Sequence, residues 1–165
     1  MRSERGYTMI EVAVVIGLIG VISAIALPVF MESNRRTALW NGAEQIGAAV
    51  RSARLKAISQ NTPYRIAFNC PGVNELRVLV LTGDVAIDDD PGRCGESFEG
   101  DSGTIGLPPG VTYEVEDTTA LQVTGRGIFS SVGGDIPSTI TVMHGAVTRI
   151  LTVSGTGQIT FTDVE

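Results

Sequence analysis

The sequence predicts an α+β protein: one long N-terminal helix, transmembrane in its first half, packed on an antiparallel β-sheet head. Three observations lead there. Val12 to Phe30 carries no charged residue, and 12 of its 19 positions are Val, Ile, Leu or Phe. Apolar residues then recur at alternating spacings of four and three as far as residue 57. From Tyr64 the period drops to two, and strand patterns follow one another without intervening helices.

Composition narrows the classes. The 165 residues suffice for one folded domain. With 43% hydrophobic and 18% charged residues, the chain is no disordered acidic tail. A net charge of −6 argues against a general nucleic-acid binder, which carries a basic face. One histidine, His144, excludes a site built on several imidazoles, and two cysteines cannot build a four-cysteine zinc site. The mean hydropathy of +0.22 is high for a small soluble protein, and the excess lies in the N-terminal run.

Each element can be justified in order. Residues 7–31 hold the anchor: the twelve Val, Ile, Leu and Phe of 12–30 favour insertion by about −6 kcal/mol, against at most about 3 kcal/mol for Glu11 at the edge. Nineteen residues nearly match a hydrocarbon core of roughly 30 Å. Arg2 and Arg5 hold the start cytoplasmic. No Ala-x-Ala-like cleavage site follows the run; Ser23-Ala24-Ile25-Ala26 lies inside it, so a retained anchor is expected. In residues 32–62 Leu39, Ala43, Ile46, Val50, Ala53 and Ala57 form one stripe, with Arg35, Glu44, Gln45, Arg51, Ser52 and Lys56 largely off it. Trp40 on this helix is expected to pack or to sit at the membrane interface. The helix should end near Asn61, before Thr62-Pro63. Residues 63–165 should form the head, two small sheets or a sandwich, with strands at Tyr64–Phe68, Glu75–Leu81, Val111–Val115, Leu121–Thr124, Ile140–Met143, Val147–Val153 and Gln158–Thr162. His144-Gly145 is placed in a hairpin turn.

Arg5-Gly6-Tyr7-Thr8-Met9-Ile10-Glu11-Val12 resembles the prepilin leader of type IV pilins and type II secretion pseudopilins. The resemblance implies a leader of residues 1–6, prepilin peptidase cleavage between Gly6 and Tyr7, and N-methylation of Tyr7, where the family more often has Phe. It also places a helix-softening proline at Pro28, beside Gly17 and Gly20; Pro28 lacks an N–H and removes one helical hydrogen bond. Glu11 needs a partner at the membrane edge. Cleavage creates an ammonium at Tyr7, which Glu11 could meet within its own helix or on a neighbouring subunit. The resemblance implies the neighbour, with the shielded pair setting the axial register of a filament.

Within the head, Arg51, Ala53, Arg54 and Ala57, then Gly127-Ile128-Phe129 and Ser154-Gly155-Thr156-Gly157, resemble the GspH/FimT group of minor pseudopilins and minor pilins. Residues 82–110 match no family pattern. The resemblance implies a minor subunit of a type II secretion pseudopilus, without enzymatic activity and without cofactor or metal. Its partners would be other pilin or pseudopilin subunits, prepilin peptidase, an inner-membrane assembly platform and inner-membrane lipid. It would cross the bacterial inner membrane once with its head in the periplasm, then join a filament in the periplasm or at the cell surface. The alternative is a FimT-like minor pilin of a type IV pilus, acting in assembly, adhesion or DNA uptake. A simple bitopic receptor would instead keep residues 1–6.

Other candidates follow from this placement. Cys70 and Cys94, outside the cytoplasm, are expected to form a disulfide worth roughly 3 kcal/mol in the chain-entropy model, the alternative being two buried thiols. Asp84, Asp88, Asp89, Asp90, Glu96, Glu99 and Asp101 crowd one segment; their spacing does not fit an EF-hand, and a solvated acidic loop is expected in place of a Ca²⁺ site. Where DNA-binding members of the resembled group carry arginines, this chain reads Gly157-Gln158-Ile159-Thr160, and only Arg126 and Arg149 serve the last 40 residues, so nucleic acid is not expected as a partner. His144 lacks the surroundings of a catalytic triad.

Overall fold

The computed structural model describes residues 8–116 and 118–164. Its elements are helix α1 (Met9–Gln60), strands β1 (Tyr64–Phe68) and β2 (Glu75–Val80), a short helix α2 (Val85–Asp88), a 3₁₀ turn (Pro91–Cys94), and strands β3 (Ile105–Gly106), β4 (Thr112–Val115), β5 (Ala120–Val123), β6 (Phe129–Val132), β7 (Ser138–His144), β8 (Val147–Val153) and β9 (Ile159–Val164). The chain divides into two units, up to Arg35 and from Arg36 onward. In the first unit, residues 8–35, no described residue is buried.

The second unit is built on the amphipathic part of α1. Leu39, Ala43, Ile46, Val50, Ala53 and Ala57, the stripe anticipated from spacing, are each at most 1% exposed. Gly42 and Gly47 lie on the same buried face. Small residues there let the head approach closely: a Cβ at Gly42 would lie 2.9 Å from Cγ1 of Val111, just before β4, and one at Gly47 would lie 3.1 Å from Cζ of Phe161 on β9. The helix stops where Asn61 turns left-handed, with φ +49°, and the Thr62 N–H donates to Ala57 O at 3.2 Å.

Two antiparallel sheets complete the core. One has five strands in the order β3-β2-β1-β5-β6, the other four in the order β4-β7-β8-β9. Tyr64, Ile66, Leu76, Val78, Leu121 and Val123 from the first sheet, and Tyr113, Ile140, Val142, Leu151 and Val153 from the second, join the helix stripe in one hydrophobic cluster. Tyr113 ties the sheets together. Its hydroxyl donates to Glu75 O at 2.8 Å and accepts from Asn69 N–H at 2.7 Å.

The structure departs from the sequence pattern in a few places. Strand β6 begins at Phe129, but its Phe-Ser-Ser-Val run carries too little apolar alternation to announce a strand. His144 is the last residue of β7, and the hairpin turn falls one residue later, with Gly145 at φ +64°. The segment after β2 folds back on the sheet. Arg65 faces Leu79 and Ala67 faces Arg77 across β1 and β2, on the face away from the helix. Residues 81–104 cover that face, so both of its arginines are largely withdrawn from water, with side-chain exposures of 14% and 7%.

Candidate functional site

Gly6 and Tyr7 lie outside the described residues. Immediately after them, Thr8 and Glu11 cap α1 reciprocally. The Glu11 N–H donates to Thr8 Oγ1 at 3.3 Å, and the Thr8 N–H donates to Glu11 Oε2 at 3.5 Å. This is a capping box, which satisfies two of the orphan donors at a helix start and sets a carboxylate near the positive end of the helix dipole. The Thr-x-x-Glu spacing that makes this cap is local and legible in the sequence. The structure thus fixes where the carboxylate is aimed: back toward the N-terminus.

Behind Glu11 lies an exposed apolar surface. Met9, Ile10, Val12, Val14, Val15, Ile16, Leu18 and Ile19 are 48–93% exposed, and the same holds through Phe30 at 64%. This stretch is long and apolar enough to cross a membrane: its best 18-residue window has a mean hydropathy of 2.7 and none of it is buried. Around a Cβ built at Gly17 or Gly20 there is nothing within 4 Å. The helix runs on through Pro28.

In the head, Cys70 and Cys94 form a disulfide with their Cα atoms 5.2 Å apart. It packs on Ala67 and Leu79, apolar residues of the outer sheet face. The acidic segment expected to be solvated is only partly so. Asp84, Asp89, Asp90, Glu96 and Glu99 are exposed, but Asp88 is buried and the Asp101 side chain is 1% exposed. Asp101 meets the Arg93 guanidinium in a two-pronged pair at 2.7 and 2.9 Å and accepts N–H bonds from Val80 and Phe98. Burial on its own would raise its pKa; the Arg93 hydrogen bond, the two N–H donors and the Arg93 charge outweigh that and hold it below the ordinary carboxylate value. Asp88 follows the same logic: burial opposes ionisation, but the Thr82 N–H and hydroxyl, the Gly83 N–H and the Arg65 charge bring its pKa down. Their oxygens are thereby committed to protein donors. Among the described residues no three His, Cys, Asp or Glu side chains are grouped to hold a metal.

The segments that resembled minor pilins converge on Arg54. Cβ atoms placed at Gly127 and Gly157, both at positive φ, would lie 3.1 Å from its Nε and 3.0 Å from its Cδ. Arg149 is held between Trp40 and Phe161, its guanidinium carbon 5.0 and 4.7 Å from their ring centres, with Asp163 at 3.0 Å. Trp40 is therefore an aromatic support for Arg149, and Arg149 is engaged; Arg126 is exposed. The His144 imidazole packs against Gly110.

Residues 1–27 match the family model described as the prokaryotic N-terminal methylation motif. Over this segment the chain is similar to pilins of known sequence. A fimbrial protein of Pseudomonas aeruginosa is 31% identical over 78 residues, which cover 41% of this chain and 51% of that protein. The pilin-like protein PilA1 of Thermus thermophilus is 39% identical over 59 residues, 36% of each chain. The chain therefore spans about half or less of the length of these curated relatives. In fold, it resembles the crystal structure of the type IV minor pilin FimU of Pseudomonas aeruginosa, with a TM-score of 0.56 and 19% identity over 77% of this chain and 90% of that one. It also resembles the minor pseudopilin EpsH from the type 2 secretion system of Vibrio cholerae, with a TM-score of 0.50 and 14% identity over 73% and 93% of the two chains.

Proposed function

We propose that this pilin-like chain is a minor subunit of a periplasm-spanning filament, a type II secretion pseudopilus, assembled through its N-terminal helix. A single observation carries this: an exposed apolar helical surface, headed by one carboxylate at the helix start and lying largely within a methylation motif. Prepilin peptidase cuts between Gly6 and Tyr7, and Tyr7 is methylated. The capping box shares the Glu11 carboxylate with the Thr8 N–H, and the new ammonium of a neighbouring subunit is the stronger partner once both are shielded from water. Pro28 softens the helix as the subunit leaves the bilayer. The head stands in the periplasm, and the assembly platform and inner-membrane lipid are its partners before extraction.

A second reading, a minor pilin of a type IV pilus, is favoured by the likeness to a fimbrial protein across 51% of that protein's length. Deleting the gene separates the two: loss of protein secretion supports the pseudopilus, and loss of twitching with secretion intact supports the pilus. The assembly claim is tested on its own by Glu11→Lys. The variant should insert normally in the inner membrane but be missing from sheared filaments. Wild-type amounts in the filament fraction refute the ion pair. Mass spectrometry of the native N-terminus should show methylated Tyr7; a chain starting at Met1 supports the receptor alternative.

A further inference from the structure

The outer edge of β2 is finished by side chains, not by a strand. Strand β3 reaches only Glu75 and Leu76. Beyond them, the Val78 N–H donates to Ser102 Oγ at 2.8 Å and Val78 O accepts from the Ser102 N–H at 2.8 Å. The Val80 N–H donates to Asp101 Oδ1 at 2.7 Å, and Val80 O accepts from Arg93 Nη2 at 3.1 Å. All four outward polar groups of Val78 and Val80 are thus occupied from within residues 93–102. That stretch is held down at two further points. Arg77 donates to Cys94 O and Glu96 O at 2.6 and 2.8 Å, and the disulfide ties Cys94 to Cys70 beside the β1–β2 turn.

The strand beneath reads Glu-Leu-Arg-Val-Leu-Val, rich in β-branched and apolar residues. An uncovered edge of that composition pairs readily with another chain. Glycine, acids and a short helix in residues 81–104 cannot continue the sheet, yet they reproduce its hydrogen bonds. Hence the acidic residues that matched no family pattern have a use: Asp101 stands in for a backbone carbonyl, and its charge is kept by Arg93.

We infer that residues 81–104 form a latch that substitutes for a missing edge strand, fastened by Cys70–Cys94, and that opening it frees β2 to pair with β2 of a second copy of the chain. The inference rests on the head alone and is independent of the filament assignment.

The test uses the oxidised full-length chain in detergent micelles and amide hydrogen exchange. Ser102→Ala is a mild change that should fold; the Val78 amide should exchange about tenfold faster while the amides joining β1 to β5 keep wild-type protection. Unchanged protection at Val78, or equal acceleration across β1 and β5, overturns the latch. Cys70→Ser/Cys94→Ser should open it further: Val78 and Val80 should lose about a hundredfold in protection, and sedimentation should show dimers. Adding Val80→Pro to that background removes the outward N–H and should restore the monomer. Dimers that persist, or a double-serine variant that stays monomeric with its edge protected, overturn the pairing.

Discussion

Gly157→Ala probes whether the two glycine turns over Arg54 are shaped by packing or by backbone alone. Gly157 has φ +76°, and an added Cβ would sit 2.7 Å from Phe129 Cε2 and 3.0 Å from Arg54 Cδ. Neither neighbour yields easily: Phe129 is 3% exposed, and Arg54 is confined between the Gly127 and Gly157 turns. The left-handed backbone costs a non-glycine residue about 1–2 kcal/mol, and overpacking adds about 1–3 kcal/mol. Gly133→Ala is the matched control, since its φ is +85° but nothing lies within 4 Å of the new Cβ. Both variants share the backbone cost and the unfolded-state entropy gain, so their difference isolates the steric part, about 1–3 kcal/mol. Thermal unfolding of the oxidised full-length chain in micelles, followed by circular dichroism, should place Gly157→Ala roughly 2–12 °C below Gly133→Ala. If the two variants melt together, the turns are not packed on Arg54 and Phe129 as described.

Two further outcomes are expected. Ile46→Ala, at a position 0% exposed, should cost about 2–5 kcal/mol in chemical denaturation, whereas Leu55→Ala on the same helix, 69% exposed, should stay within about 0.5 kcal/mol; equal effects would contradict the helix orientation. Asp88 and Asp101 both have pKa values below the ordinary carboxylate range, so the stability they contribute is complete above the unfolded value of about 3.9 and is lost as the pH falls through the folded values. The head should therefore lose stability below about pH 4, and Asp101→Asn should be less stable at neutral pH with a flatter acid limb. An acid limb parallel to wild type would show that Asp101 is not part of that transition.

What the chain's own pattern determined was everything governed by local periodicity and by free energy of transfer. An uncharged apolar run can only be satisfied by lipid or by other apolar helices, so residues 12–30 declared themselves without a structure. The stripe from Leu39 to Ala57 and the inward faces of β1, β7 and β8 followed from spacings of 3.6 and 2. The Thr8–Glu11 cap was equally local and equally readable. The outer face of the first sheet was not. Alternation can say that Arg65 and Arg77 point away from the helix, but not that residues 81–104 will return to cover them. A count of acids likewise cannot tell the solvated Asp84 from the buried Asp101, because the difference is an arginine brought alongside by chain reversal. The Cys70–Cys94 bond could be expected because the chain has two cysteines, but the gathering of Gly127, Gly157 and Arg54 depends on contacts between residues far apart in sequence, which only tertiary structure brings together.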